Sequence, residues 1–240
     1  MSYRTPQIYI VFVLALFLSA CEDTQKATSE KDLPRSQVEV SKSEKSDKID
    51  ESKTPQIEEK ITDKNVVEFL TQYGKENPET QARIETSYGQ IEIELYTDTP
   101  LHRANFIYLV KNRYFDDTFF HRVVPNFIIQ AGNSDLRSTN KKRFALGDDY
   151  LLPAEINERD HFYGSISGAK EYRENPDKKS APYEFFIFLG PLSSTSHLNG
   201  NYTVFGKVTH GMDVVEKIAA LPTDDGDWPL NNVYISIELI

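Results

Sequence analysis

The sequence predicts a mostly β domain: short strands closed into a barrel and capped by two helices. Three observations predict it. From Arg83 onward, apolar residues recur with a period of two in short runs, as on strands with one face turned to a core. Only two segments of that region, opening at Thr99-Pro100 and spanning about 212–220, carry a helical pattern. Many short strands with so few helices favour closure of a sheet on itself over an open layered sheet.

The elements follow in order. Ile84 and Thr86 precede a turn at Tyr88-Gly89, and Ile91, Ile93 and Leu95 then alternate with Glu92 and Glu94, a hairpin with one wet face. Thr99 is placed to cap a helix with Pro100 at its first position, and Ala104, Phe106, Ile107, Leu109 and Val110 supply its buried side. Further strands are expected at 118–124, 127–131, 163–168, 184–188 and 203–208. A second helix follows near 212–220, and Val233, Ile235, Ile237 and Leu239 alternate in a last strand. The polar runs 134–152 and 170–182 read as loops.

Upstream of the domain the chain changes character. Arg4 precedes an apolar run from Ile8 to Leu18, short for a membrane span and followed by small residues. The run ends in Leu18-Ser19-Ala20-Cys21, which resembles the lipobox of bacterial lipoproteins. That resemblance implies a signal peptide at 1–20, cleavage before Cys21, lipidation of Cys21 and a membrane-anchored place in the bacterial cell envelope. Cys21 is the single cysteine, so a lipidated chain has no disulfide, thiol nucleophile or thiolate metal site. Residues 21–60 alternate Lys, Glu, Asp and Ser, and 22–60 hold no aromatic residue. Such a stretch buries too little apolar surface to offset chain entropy, and as a coil it has a mean reach of roughly 35 Å. In the segment 61–82, Asp63 is placed to cap a helix through Tyr73. Val66, Val67, Phe69 and Leu70 form its stripe, Gly74 follows its end, and a linker with Pro78 comes next.

Bulk properties exclude other classes. The net charge of -10 argues against nucleic acid as a partner, since phosphate binding needs a basic surface. No Gly-rich phosphate loop, HExxH or paired-cysteine motif occurs, so neither cofactor nor metal is expected. Ser193, Ser194 and Ser196 beside His197 lack the strand-turn-helix context of a nucleophilic serine. Nothing demands more than a monomer.

One run stands out: Phe119-Phe120-His121-Arg122-Val123-Val124-Pro125-Asn126-Phe127-Ile128-Ile129-Gln130 sets a guanidinium inside an apolar stretch. From Phe120 to Gln130 it resembles the cyclophilin signature FHRxxxxFxxQ. Glu184-Phe185-Phe186-Ile187 is similar to that family's QFFI strand. Leu198 to Val208 is similar to its LDGxxxVFGKV segment, and Gly211 to Val215 to the start of its last helix. The resemblance covers residues 83–240 in colinear order. It implies an eight-stranded antiparallel barrel closed by two helices and peptidyl-prolyl cis-trans isomerase activity on proline-containing polypeptides.

The residue chemistry agrees with that implication. The barrier at an X–Pro bond is about 20 kcal/mol because the C–N bond has partial double-bond character. No bond need break; the protein must favour the twisted state over both planar ones. In the twist the proline nitrogen regains a lone pair, to which a permanently charged guanidinium can donate. The expected catalytic residues are therefore Arg122 and, orienting it, Gln130. Phe127, Ile128, Phe186 and Leu198 would seat the proline ring and Tyr202 would close its edge. The backbone of Ala169 and Lys170 would grip the residues before proline.

The chain departs from the family pattern in four places. Glu184 stands where Gln is usual, Lys170 where Asn or Arg is usual, His197 where Trp or Phe is usual, and Ala131 where Gly is usual. Glu184 and Lys170 are expected to offset each other at the pocket rim, so that Glu184→Gln alone disturbs activity more than the double exchange; alternatively Glu184 occupies the donors of Arg122. His197 implies weak cyclosporin binding. The leading expectation is thus an envelope-tethered isomerase assisting folding of extracytoplasmic proteins. Its competitors are a proline-peptide binding module or chaperone with little turnover, and a barrel carrying a lipid or small ligand.

Overall fold

The computed structural model describes residues 60–170 and 175–240. The signal segment, Cys21 and residues 21–59 of the charged stretch lie outside the described residues. Eight strands form a closed barrel: β1 Gln81–Thr86, β2 Gly89–Leu95, β3 Thr118–Val124, β4 Ile128–Asn133, β5 Ser165–Gly168, β6 Phe185–Phe188, β7 Val204–His210 and β8 Tyr234–Leu239. Their order around the barrel is β1-β2-β7-β5-β6-β4-β3-β8, with every neighbouring pair antiparallel. The α-helices among the described residues are α1 Val66–Glu76, α2 Pro100–Lys111, α3 Arg137–Leu146 and α4 Met212–Ala219.

Strand register explains why the run 119–131 is mostly apolar. Val123 pairs with Ile129, Ile129 with Ile187, and Ile187 with Ile166; all four are fully buried in the barrel core. One residue along, Arg122 pairs with Gln130, Gln130 with Phe186, and Phe186 with Ser167. Side chains alternate faces along a strand, so this second row lies on the outside of the barrel. It is covered there by a separate apolar cluster of Ile128, Phe186, Phe188 and Leu198, with Val124, Phe127 and Tyr202 packed against it. A strand covered on both faces loses its polar alternation. In β3, two residues face one of β4 between Phe120 and Arg122, so His121 is the extra residue of a bulge. Bulges re-aim the following side chain, here Arg122.

The helices depart from expectation in instructive ways. α2 is buried on all sides from His102 to Val110, because α1 covers the face turned away from the barrel. Gly74 lies inside α1, not after it; a methyl there would meet Ala104 Cβ at 3.1 Å, so glycine permits the close crossing of α1 over α2. Asn65, not Asp63, occupies the cap position of α1, and its Oδ1 accepts from the Thr62 N–H at 2.7 Å. Thr99 makes no capping bond to α2. The Glu155 carboxylate does this instead, accepting the Leu101 and His102 N–H groups at 2.8 and 2.9 Å. A carboxylate there satisfies two orphan donors and opposes the helix dipole.

The stretch 134–152, expected as loop, contains α3. Its sequence, RSTNKKRFAL, shows little amphipathic pattern, and only Thr139 and Leu146 are buried. Long polar side chains hold it. Arg143 donates to the Tyr114 hydroxyl at 2.9 Å and to Gly132 O at 3.3 Å, and Lys142 reaches Tyr114 O at 3.4 Å.

Candidate active site

The outer row and its apolar cover frame a groove of about 330 Å³. Every expected catalytic or substrate-contacting residue lines it except Glu184, and Asn175 joins them. The floor is apolar: Ile128, Phe186 and Leu198 are buried at its base, and Phe127 stands half-buried at its side. Phe186 is fixed from two sides. The His161 ring stacks on it at 6.0 Å with a 3° interplanar angle, and Tyr202 meets it edge-on at 5.6 Å. His161 is itself tied by Asn199 Oδ1 and the Ser167 hydroxyl, each at 2.9 Å, and burial lowers its pKa. His161 therefore acts as a neutral backing plate, a role its sequence context did not single out.

The guanidinium over this floor is placed differently from expectation. Gln130 does not orient Arg122 by the expected hydrogen bond; its amide nitrogen donates to Glu184 Oε2 at 2.9 Å. Arg122 Nε instead donates to Asp227 Oδ2 at 3.2 Å. Asp227 lies 105 residues away in the turn before β8, and its backbone carbonyl accepts from the Val123 N–H at 2.8 Å. With Nε so engaged, the outer guanidinium nitrogens carry the donors left for a ligand.

A family model described as cyclophilin type peptidyl-prolyl cis-trans isomerase/CLD matches residues 81–238. The chain belongs to the cyclophilin family. This cyclophilin is 40% identical over 147 residues to a peptidyl-prolyl cis-trans isomerase of Acinetobacter baylyi, covering 60% of this chain and 74% of that one. It is 36% identical over 155 residues to the peptidyl-prolyl cis-trans isomerase ppi1 of Schizosaccharomyces pombe, covering 63% and 93%. A cyclophilin-type isomerase of Cryptosporidium parvum superposes with a TM-score of 0.56 at 27% identity, over 68% of this chain and 98% of that one. The same Cryptosporidium protein, solved in the presence of the dipeptide Ala-Pro, superposes with a TM-score of 0.55. The barrel and the isomerase chemistry are thus those of the family.

The departures from the family pattern resolve in unexpected ways. Glu184 does not pair with Lys170. It lies behind Gln130, beside a second cavity of about 380 Å³, where Arg143 Nη2 reaches its Oε1 at 3.2 Å and His121 Nε2 stands 3.5 Å from its Oε2. Nor does it take a donor of Arg122, whose Nε turns to Asp227. Lys170 instead sets its ammonium 4.6 Å over the Tyr202 ring, and burial, helped by the Lys178 charge, lowers its pKa. The backbone of Ala169 is also engaged: its N–H donates to Glu184 O at 3.2 Å and its C=O accepts from Ala181 at 2.8 Å. The Ala169 N–H is therefore already engaged, while its carbonyl keeps a second acceptor position. His197 stands at the groove mouth with its ring 5.7 Å from Phe127. The effects of Lys170 and Glu184 exchanges on activity are accordingly expected to add, as for groups without a shared partner.

The Glu184 carboxyl also carries a pH dependence. Burial alone would raise its pKa, but His121, Arg143 and Gln130 together hold it below the ordinary value of 4.5. The native state thus binds fewer protons than the unfolded chain near that pH. The stabilisation is present above the unfolded pKa and is lost as pH falls through the lower, folded one. Urea melts between about pH 3 and 6 are expected to show a steeper acid decline in the wild type than in Glu184→Gln; parallel declines would contradict this.

One constellation resembles other chemistry without providing it. His102 bridges Glu155 at 2.6 Å and Ser180 at 3.0 Å, in the order of a hydrolytic triad. Ser180 is fully buried, and a methyl on Gly168 would already lie 2.6 Å from its Oγ, so no acyl group fits beside it. Among the described residues, no group of three or more His, Cys, Asp or Glu side chains is placed to hold a metal ion.

Proposed function

We propose that this cyclophilin isomerises X–Pro bonds in unfolded or partly folded polypeptides outside the cytoplasm, held to a membrane of the bacterial envelope through lipidated Cys21. The observation that carries the catalytic part is the outer row Arg122–Gln130–Phe186. It sets the permanently charged Arg122 guanidinium beside a concave apolar floor. The proline ring seats on Ile128, Phe186 and Leu198, with Phe127 and Tyr202 at its edges. Arg122 donates to the nitrogen as the amide twists and its lone pair localises. That contact exists in the twisted state and not in either planar one, so it lowers the barrier without deepening the ground state. The Ala-Pro dipeptide used with the Cryptosporidium relative supports proline peptides as ligands of such a groove.

The apolar run ending in Leu18-Ser19-Ala20-Cys21 and the charged stretch after it support the anchoring part. Several acyl chains on one residue give stable membrane attachment, whereas one chain alone is marginal. A tether with a mean reach of roughly 35 Å lets the domain sample clients above the surface while acting as a monomer. Expressed in a bacterium with a lipoprotein pathway, the wild type is expected in the membrane fraction and Cys21→Ser in the soluble fraction, both with full isomerase activity after extraction. Equal partitioning of the two would remove the anchor from the account.

A further inference from the structure

The turn that carries Asp227 is built more firmly than a surface loop requires. Asp224 Oδ1 accepts the N–H groups of Gly226 and Trp228 at 2.8 and 2.9 Å, and the Asp224 N–H donates to Trp228 O at 2.9 Å. Thr223 bridges to Pro229, and Leu230 N–H closes on Pro222 O at 3.0 Å. Trp228 then locks the turn to the barrel, packing edge-on against the fully buried Phe119 at 5.3 Å. Within this frame Asp227 adopts φ 64, a left-handed conformation that non-glycine residues take up at a cost. Its carbonyl is pinned to β3 one residue past Arg122, and its carboxylate meets Arg122 Nε.

We infer that Asp227 is the residue that positions the Arg122 guanidinium for isomerisation. The inference deepens the proposed reading of Arg122 as the donor to the prolyl nitrogen and rests on it. A free arginine side chain explores many rotamers, and each must be frozen before its N–H can meet a developing lone pair. A carboxylate on Nε fixes the plane of the guanidinium and leaves its outer nitrogens directed at the groove. The pair is partly exposed, with side-chain exposures of 32% and 41%, so its contribution to fold stability is small and its effect falls on catalysis.

The left-handed backbone decides which variants are informative. Alanine at φ 64 would add strain of its own, whereas glycine and asparagine accept that conformation. In the full-length chain, Asp227→Gly is expected to lower kcat for a proline tetrapeptide about tenfold with KM changed less than about twofold, because the lost contact acts on the twisted state. Asp227→Asn keeps an oxygen acceptor and is expected to stay within about threefold of wild type. In an Arg122→Ala background, Asp227→Gly is expected to change nothing further, as for two residues acting through one another. The Arg122 Nε–H proton resonance is expected to move in Asp227→Gly. The inference is overturned if Asp227→Gly matches wild type, or if it costs the same factor whether or not Arg122 is present. Full activity in Arg122→Ala itself would instead overturn the reading of Arg122, and this inference with it.

Discussion

Arg122→Ala is expected to lower kcat/KM for a proline tetrapeptide by on the order of 100-fold, the usual cost of deleting one aimed donor from an active site. The melting temperature should hardly move. Arg122 lies on the outer row of the barrel, its side chain is 32% exposed, and among the described residues its ion pair is with the still more exposed Asp227. Such pairs contribute about 0–1 kcal/mol to stability. The apolar floor under the guanidinium does not depend on it, since Ile128, Phe186, Phe188 and Leu198 pack on each other. Arg122→Lys should restore little. An ammonium is a point charge on a flexible stem and lacks the planar fork that Asp227 holds by one nitrogen while others face the groove. Stopped-flow cis-to-trans relaxation of the peptide, with thermal unfolding as control, reads both halves of this expectation.

The second large effect is on the fold. Gly132 follows Gln130 by two residues in β4 and has φ 104. A Cβ there would sit 2.1 Å from Tyr183 O and 3.1 Å from Glu184 Cα, both backbone atoms that cannot turn aside. The Gly132 carbonyl also receives the Tyr114 hydroxyl at 2.7 Å, so movement of β4 would break a buried hydrogen bond. Gly132→Ala is therefore expected to cost at least about 4 kcal/mol, a fall in Tm of about 8–16 °C for a domain of this size. Gly200, in the turn before β7, provides the contrast. It also has a positive φ, 69, but nothing lies within 4 Å of its added Cβ. Gly200→Ala should cost only the conformational strain, about 1–2 kcal/mol. Thermal unfolding followed by circular dichroism separates the two cases, and equal losses would contradict the steric argument.

What could be read from the sequence was what local pattern determines. Strands alternate faces, so β1, β2 and β8 appeared from Ile84, Ile91, Ile93, Ile235 and Ile237 alone. The groove was legible because the residues of the signature and of the 184–187 and 198–202 segments lie on adjacent elements, which the barrel brings to one face. The parts not legible depend on contacts between distant residues. α3 has no apolar stripe and exists through Arg143 and Lys142 reaching backbone and hydroxyl groups of other segments. Glu155 caps a helix 54 residues before it, displacing Thr99, whose position beside Pro100 had pointed to that role. Asp227 reads as one acid among several in Asp224-Asp225-Gly226-Asp227, and only closure of the barrel between β3 and β8 brings it to Arg122. Glu184 suggested a charge partner, but its sequence neighbourhood could not separate Lys170 from Arg143, which belongs to the unforeseen α3. The fold class thus followed from periodicity, and the electrostatics of the site followed from topology.

Exchange spectroscopy on a labelled Ala-Pro peptide, with the protein present in small molar fraction, tests most directly that this groove twists the prolyl amide. The expected result is cis–trans exchange cross-peaks that appear on adding wild type, vanish with Arg122→Ala, and coincide with shifts in the protein confined to Phe127, Phe186, Leu198 and Tyr202. Cross-peaks of equal intensity with both proteins, or accelerated exchange with shifts elsewhere on the barrel, would contradict it.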